Sequence, residues 1–255
     1  MRFSSGITRR ANAVVSSSMP ERLEEIEAAV DEVERRSAER WLAPTFQQWR
    51  PLGDKEAETG TDTDSTQFFE DQRRLAAVLE RRGYVEVAPT EVLWMDRANI
   101  PTDTPWDPRV LVNETLTDEW LDAYMDHAGG GVDAASRVVY RRLLGGGRNR
   151  FYSYVDDQGR IGALAKASLV PGERSERRGV DSGTYAGIYA LWVREDLRGQ
   201  GLSAVVMDAI LNHLLRLGVS GAWMQVGERS TRALSVYQAA GFIPVARYRY
   251  LTMPV

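Results

Sequence analysis

The run Leu191-Trp-Val-Arg-Glu-Asp-Leu-Arg-Gly-Gln-Gly-Leu-Ser203 holds the residues with the clearest chemical meaning, because it leads from an apolar strand into an apolar helix through a glycine-bearing turn. Amides at the start of a helix have no intrahelical acceptor, and the helix dipole makes the same place attractive to an anion. Gly199 and Gly201 carry no Cβ, so a phosphate oxygen can come close to the main chain. Apolar residues then recur at Leu202, Val205, Val206, Ala209, Ile210, Leu214 and Leu217, the spacing of one helical face. The pattern is that of a strand, an anion-binding turn and an amphipathic helix. Two other readings use the same letters. One is an ordinary helix start. The other is a dinucleotide fingerprint across 199–204 with Glu228 as its ribose-binding acid, which fits poorly because five residues separate Val193 from Gly199 and little chain follows Glu228.

Beyond this helix, 222–226 reads as a short buried strand, 230–240 as a helix closed by Gly241, and 242–253 as strands alternating apolar and polar residues. This order carries Arg198-x-x-Gly201-x-Ser203 at the turn and Ala233-Leu-Ser-Val-Tyr237-Gln-Ala-Ala-Gly241-Phe242 near the end. Together these resemble the GNAT superfamily of acyl-CoA-dependent N-acyltransferases.

The resemblance implies an α/β (α+β) fold with a mixed, mostly antiparallel central sheet flanked by helices. It also implies acetyl-CoA as cosubstrate and a primary amine, on a small molecule or a protein, as acceptor. The strand ending at Val193 would part from 222–226, so that the pantetheine arm lies along the backbone near Val193. The Leu191 N–H would hold the oxyanion, and the diphosphate would sit on the amides of Arg198, Gly199, Gln200, Gly201, Leu202 and Ser203, with the Arg198 side chain as a charge partner. Tyr237 would donate a proton to the departing thiolate. Ser203 stands where the family has Gly or Ala, and Ser230, counted with the cofactor-binding residues, stands where it often has Asn. A glutamate common in the family falls at Gly187, so its general base is missing. Tyr189 or Gln225 ordering water, or Asp181 or Glu173 from the charged loop 171–184, are the candidates to take its place. The competing function is a non-catalytic acyl-CoA-binding or regulatory module.

Composition sets further bounds. The 255 residues, 43% of them apolar, are enough for one large or two modest domains. Lys and Arg number 32 against 36 acids, a balance unsuited to general nucleic-acid binding. Zero cysteines exclude disulfides and thiolate chemistry, and two histidines, His127 and His213, give a metal little to bind, so no metal is expected. No apolar run is long enough to span a membrane, and the first residues lack the apolar stretch of a signal peptide, which gives a cytoplasmic expectation.

The chain also echoes itself. Residues 75–95 laid over 233–253 match at Val78, Gly83, Val87, Ala88, Leu93 and Met95, with Tyr84 against Phe242. Strands are expected at 8–15 and 43–49, with a helix at 20–37, giving the order of a second GNAT half. Leu79 replaces Tyr237 there, and Ser16-Ser-Ser-Met-Pro20 replaces the glycine turn. The expected division is therefore a degenerate GNAT-like domain at 1–97, a proline-bearing linker at 98–110 and a catalytic domain at 111–255. Residues 54–65 read as a loop, 114–128 as the first helix of the second domain, and 150–155 with 159–170 as a hairpin. Exposed edges of two half-related sheets leave a homodimer open.

Overall fold

The computed structural model describes residues 9, 12–52, 63–103, 105–128, 133–172 and 183–254. They form two compact units. The first is Met1–Val92 with Val226–Ser230 and Pro244–Val255, and the second is Leu93–Gln225 with Thr231–Ile243.

In the first unit, β1 (Val14–Val15), α1 (Leu23–Ala38), β2 (Thr45–Arg50), α2 (Thr63–Arg81) and β3 (Val85–Asp96, as far as Val92) are joined by the last strand, β9 (Ile243–Thr252). The strands lie in the order β1-β2-β9-β3. β1 runs parallel to β2, while β2 pairs antiparallel with β9 from Thr45↔Thr252 to Arg50↔Arg247. Ile26 and Val30 of α1 meet Leu75, Val78 and Leu79 of α2 over Phe46 and Leu251, all of them buried. Their spacing of three and four residues explains why these segments are helical. The opening strand is shorter than 8–15 within the described residues, and α1 starts three residues beyond Pro20. The expected 54–65 loop lies mostly outside the described residues, and the chain is already helical at Thr63.

In the second unit β4 (Val110–Asn113), β5 (Arg148–Val155), β6 (Ile161–Pro171), β7 (Thr184–Val193) and β8 (Gly221–Gly227, as far as Gln225) lie in the order β8-β7-β6-β5-β4. β7 and β8 are parallel and the other pairs antiparallel. The helices are α3 (Asp118–Ala128), α4 (Ala134–Gly145), α5 (Leu202–Arg216) and α6 (Thr231–Ala239). Two elements differ from expectation. β4 begins inside the stretch read as linker, because its four residues follow Pro108 too closely to show an alternation. α4 was not anticipated: of its apolar residues only Tyr140 is buried, so its sequence lacks a clear apolar stripe, and its start is fixed locally by the Asp133 carboxylate accepting from the Ser136 amide at 2.7 Å.

The sequence echo is a structural one. Gly83 and Gly241 both adopt the left-handed conformation, at φ 86° and 97°, where a helix ends. The Tyr84 amide donates to the Leu79 carbonyl and the Phe242 amide to the Tyr237 carbonyl, each at 3.1 Å, and both aromatic rings are buried. The parallel pair β1–β2 likewise answers the parallel pair β7–β8.

Because Leu251 is 1% exposed in the core of the first unit, Leu251→Ala should destabilise the protein by about 2–5 kcal/mol. Chemical denaturation checks this; a change under about 0.5 kcal/mol would mean that the last strand contributes no core.

Candidate active site

The site is built on the end of β7. Its ladder with β8 runs from Tyr185↔Gly221 to Ile188↔Met224 and stops there, although β7 continues to Val193. On the other side, β6 faces β7 with Lys166↔Tyr189 and then Leu164↔Trp192, so Ala190 and Leu191 together oppose Ala165. One extra residue in one strand is a β-bulge, and Ala190 within it takes a positive φ of 57°. The bulge re-aims the backbone at Leu191 where β7 parts from β8. This is the parting expected between the strand ending at Val193 and 222–226.

From Val193 the chain makes a 3-10 turn, Glu195–Leu197, before α5. That connection is pinned. The Arg194 amide donates to the Gly162 carbonyl at 2.8 Å, and its guanidinium bonds Asp156 and Asp196, each at 2.7 Å. The Arg160 amide and the Arg194 guanidinium together hold the Asp156 carboxyl down at about 2. Leu197 packs over Gly162, where an added Cβ would fall 2.6 Å from its methyl.

Gly199 and Gly201 have φ of 82° and 80°, and a Cβ on either would meet nothing within 4 Å. Glycine is needed there for its left-handed backbone, not for want of room. Gly201 caps α5 without any side-chain bond, and the first turn of that helix holds no acid. The Arg198 amide donates back to Glu195 at 3.3 Å, and the next amide with a backbone acceptor outside regular elements is that of Ala204, to Gly201 at 2.9 Å. Among the described residues, the amides of Gly199, Gln200, Gly201, Leu202 and Ser203 thus have no acceptor, and they gather at the positive end of the helix dipole. The Arg198 amide, included in the expected set, is already engaged. Its Nε donates to the Val193 carbonyl at 3.2 Å, which occupies one of the backbone groups expected to face pantetheine. Leu202 is buried, so only its main chain can serve, whereas Ser203 is half-buried in the first turn of α5. Ser230 is exposed, and its amide closes a turn on Gly227 at 2.8 Å.

Tyr237 lies half-buried on α6, and burial raises its phenol above the usual tyrosine range, which keeps it protonated at neutral pH. The position of the missing glutamate is filled. A Cβ at Gly187 would lie 2.6 Å from both the Trp223 ring and the Tyr189 hydroxyl. Tyr189 and Gln225 are half-buried, while Asp181 and Glu173 lie outside the described residues. Trp192 packs with Trp120, Phe151 and Leu164, and the His127 ring at the end of α3 lies tilted with its centroid 5.0 Å from it. Burial, and then the nearby Arg198, lower the His127 pKa. Among the described residues no group of three or more His, Cys, Asp or Glu side chains could hold a metal ion, and no helix is long and apolar enough to cross a membrane.

Comparison with known proteins gives this geometry its class. The profile of the acetyltransferase (GNAT) family matches residues 112–242, just over half of the chain, and the protein belongs to that family. Its fold is of the two-part kind, with a GNAT-like half preceding the matched region. Its fold is similar to that of a tandem GNAT protein from the clavulanic acid biosynthesis pathway (TM-score 0.62, 17% identity, 89% of this chain and 68% of that one). It is also similar to a GCN5-related N-acetyltransferase from Kribbella flavida (0.58, 16%, 93% and 79%) and to a functionally unknown conserved protein from Staphylococcus epidermidis ATCC 12228 (0.60, 10%, 98% and 88%). No curated protein matches the chain in sequence.

One residue of this region escaped the sequence reading. Lys166 on β6 stands opposite Phe151 and Tyr189, so these three side chains share one face of the sheet with Ser168, Gly187 and Trp223. It is 6% exposed, and among the described residues its ammonium has no carboxylate partner, only the Phe151 ring 6.0 Å away. A lone lysine has no motif to betray it. Burial lowers its pKa from 10.5 to about 8. The fold therefore disfavours the charged form: the penalty is complete below about 8, shrinks as pH rises, and is gone above 10.5, where the unfolded chain is also neutral. Lys166→Met should raise Tm at pH 7, and thermal scans across pH should show that gain fading towards pH 10.5. An equal or negative shift at every pH would contradict this.

Proposed function

We propose that the protein is an N-acetyltransferase that moves an acetyl group from acetyl-CoA to a primary amine. The observation that carries this reading is the row of amides from Gly199 to Ser203, without an acceptor among the described residues and set at the start of α5 beside a strand pair that has just opened. A diphosphate fits that row in charge and in hydrogen-bonding capacity, and the open space around both glycines leaves it room. When bound, acetyl-CoA supplies the activated thioester. The amides of Gly199, Gln200, Gly201, Leu202 and Ser203 hold its phosphates, with the Ser203 hydroxyl as an added donor. Backbone groups at Leu191 and Val193 align the chain beyond. The Leu191 N–H, turned by the bulge, stabilises negative charge on the carbonyl oxygen. Donors fixed in advance need no reorganisation, and each is worth a few kcal/mol.

Tyr237 then protonates the leaving sulfur; its raised pKa keeps that proton available well above neutrality. An acceptor amine resembling lysine has a pKa of about 10.4 and must lose a proton before it attacks. With the space at Gly187 filled by Trp223 and Tyr189, that proton leaves through water ordered by Tyr189 or Gln225. Catalysis is assigned to 111–255 and a non-catalytic role to 1–97. In the first half Leu79, fully buried, takes the place of Tyr237, and no glycine precedes α1 in the stretch from Ser16 to Pro20. A cytoplasmic location belongs to the same proposal.

The filled space at Gly187 is also what a non-catalytic acyl-CoA binder would show, so the decisive assay is release of free CoA thiol from acetyl-CoA with a panel of primary amines. Amine-dependent release is expected; binding of CoA without release from any amine would favour the binder. Tyr237→Phe should lower turnover by about 10²-fold while leaving CoA affinity within about twofold. Turnover close to wild type would remove Tyr237 from the chemistry.

A further inference from the structure

The first unit contains a polar cavity that the proposed chemistry does not use. β2 and β9 pair with Gln48↔Arg249 and Arg50↔Arg247, and residues two apart on each strand face the same way. These four side chains therefore make a square on one sheet face. The Gln48 Nε2 and the Nε of Arg50, Arg247 and Arg249 are all buried and have no hydrogen-bond partner among the described residues. An isolated buried donor costs about 1–3 kcal/mol, and four gathered on one surface are unusual in a folded protein. Gln48 is 1% exposed.

One terminal nitrogen of Arg50 and of Arg247, and both of Arg249, are already committed. Arg50 pairs with Glu228 at 3.0 Å, Arg247 with Glu91 at 2.9 Å, and Arg249 with Glu86 at 2.7 Å and Glu80 at 2.9 Å. The carboxylates fix where the guanidinium groups point and leave the inner N–H of each without an acceptor. All four residues line a cavity of about 400 Å³, a volume within the range of small-molecule sites, and Phe69 gives it a flat apolar wall.

We infer that this cavity binds a small organic oxyanion, a carboxylate or a phosphate monoester with a flat apolar body. The oxygens of such a ligand accept from Gln48, Arg50, Arg247 and Arg249, and its body lies against Phe69. The charges of the arginines are largely balanced by their own glutamates, so the site recognises acceptor oxygens in a fixed geometry more than net charge. It lies wholly within the first unit, which gives that unit a ligand of its own.

The test is calorimetric titration of the full-length protein with phenyl phosphate, benzoate and inorganic phosphate, repeated on Gln48→Met and Arg50→Lys. The first substitution removes an orphan amide at similar volume, and the second keeps the charge facing Glu228 but deletes the inner N–H. Phenyl phosphate or benzoate should saturate at or below about 1 mM and bind more tightly than inorganic phosphate, the tighter of the two identifying the headgroup. Each substitution should weaken that binding by about tenfold, and Gln48→Met should not lower Tm. Absence of saturable binding by both aromatic probes would overturn the inference. So would binding unchanged by Arg50→Lys, which keeps the test decisive should Gln48→Met not fold.

Discussion

The structure turns on the left-handed backbone at Gly199 and Gly201. With φ near 80° at both, the chain enters α5 without any side chain reaching back to cap it, and among the described residues consecutive amides are left without an acceptor at the positive end of the helix. Almost everything around them serves to hold that arrangement. Arg194 ties the connection to Gly162 and Asp156, Leu197 seats itself on Gly162, and α5 buries Val206, Ala209, Ile210 and Leu214 against its own unit. The opposite end of the helix is closed by Gly218 in the same left-handed conformation, so both limits of the element are set by glycine.

The bulge at Ala190 and Leu191 is the second half of the same device. A regular strand would have continued its ladder with β8 and used up its backbone groups; here that ladder stops at Ile188, and the extra residue follows at once on the β6 side. The glycine turn and the bulge are only a few residues apart in the chain, so one short segment supplies both the anion-binding and the oxyanion-holding parts of the proposed site.

Much of this was legible in the sequence because it depends on residue types with few alternatives. Glycine before an apolar helical repeat, and the echo of Gly83-Tyr84 in Gly241-Phe242, reflect backbone conformations that other residues adopt at a cost. What escaped notice was set by tertiary context. The helix at Ala134–Gly145 lacks a stripe because it rests on its unit chiefly through Tyr140, and β4 is too short to show an alternation. The register that places Lys166 opposite Tyr189, and the packing of Trp223 over Gly187, are properties of strand pairing that no local spacing encodes. The square of Gln48, Arg50, Arg247 and Arg249 joins residues from opposite ends of the chain.

The central claim is that the amides from Gly199 to Ser203 grip the diphosphate of coenzyme A. Backbone amide NMR during titration with coenzyme A tests it most directly. The account predicts large, saturable shifts at Gly199, Gln200, Gly201, Leu202 and Ser203, with the Arg198 amide, already bonded to Glu195, shifting less. Saturation of the protein with these five resonances unmoved would contradict it.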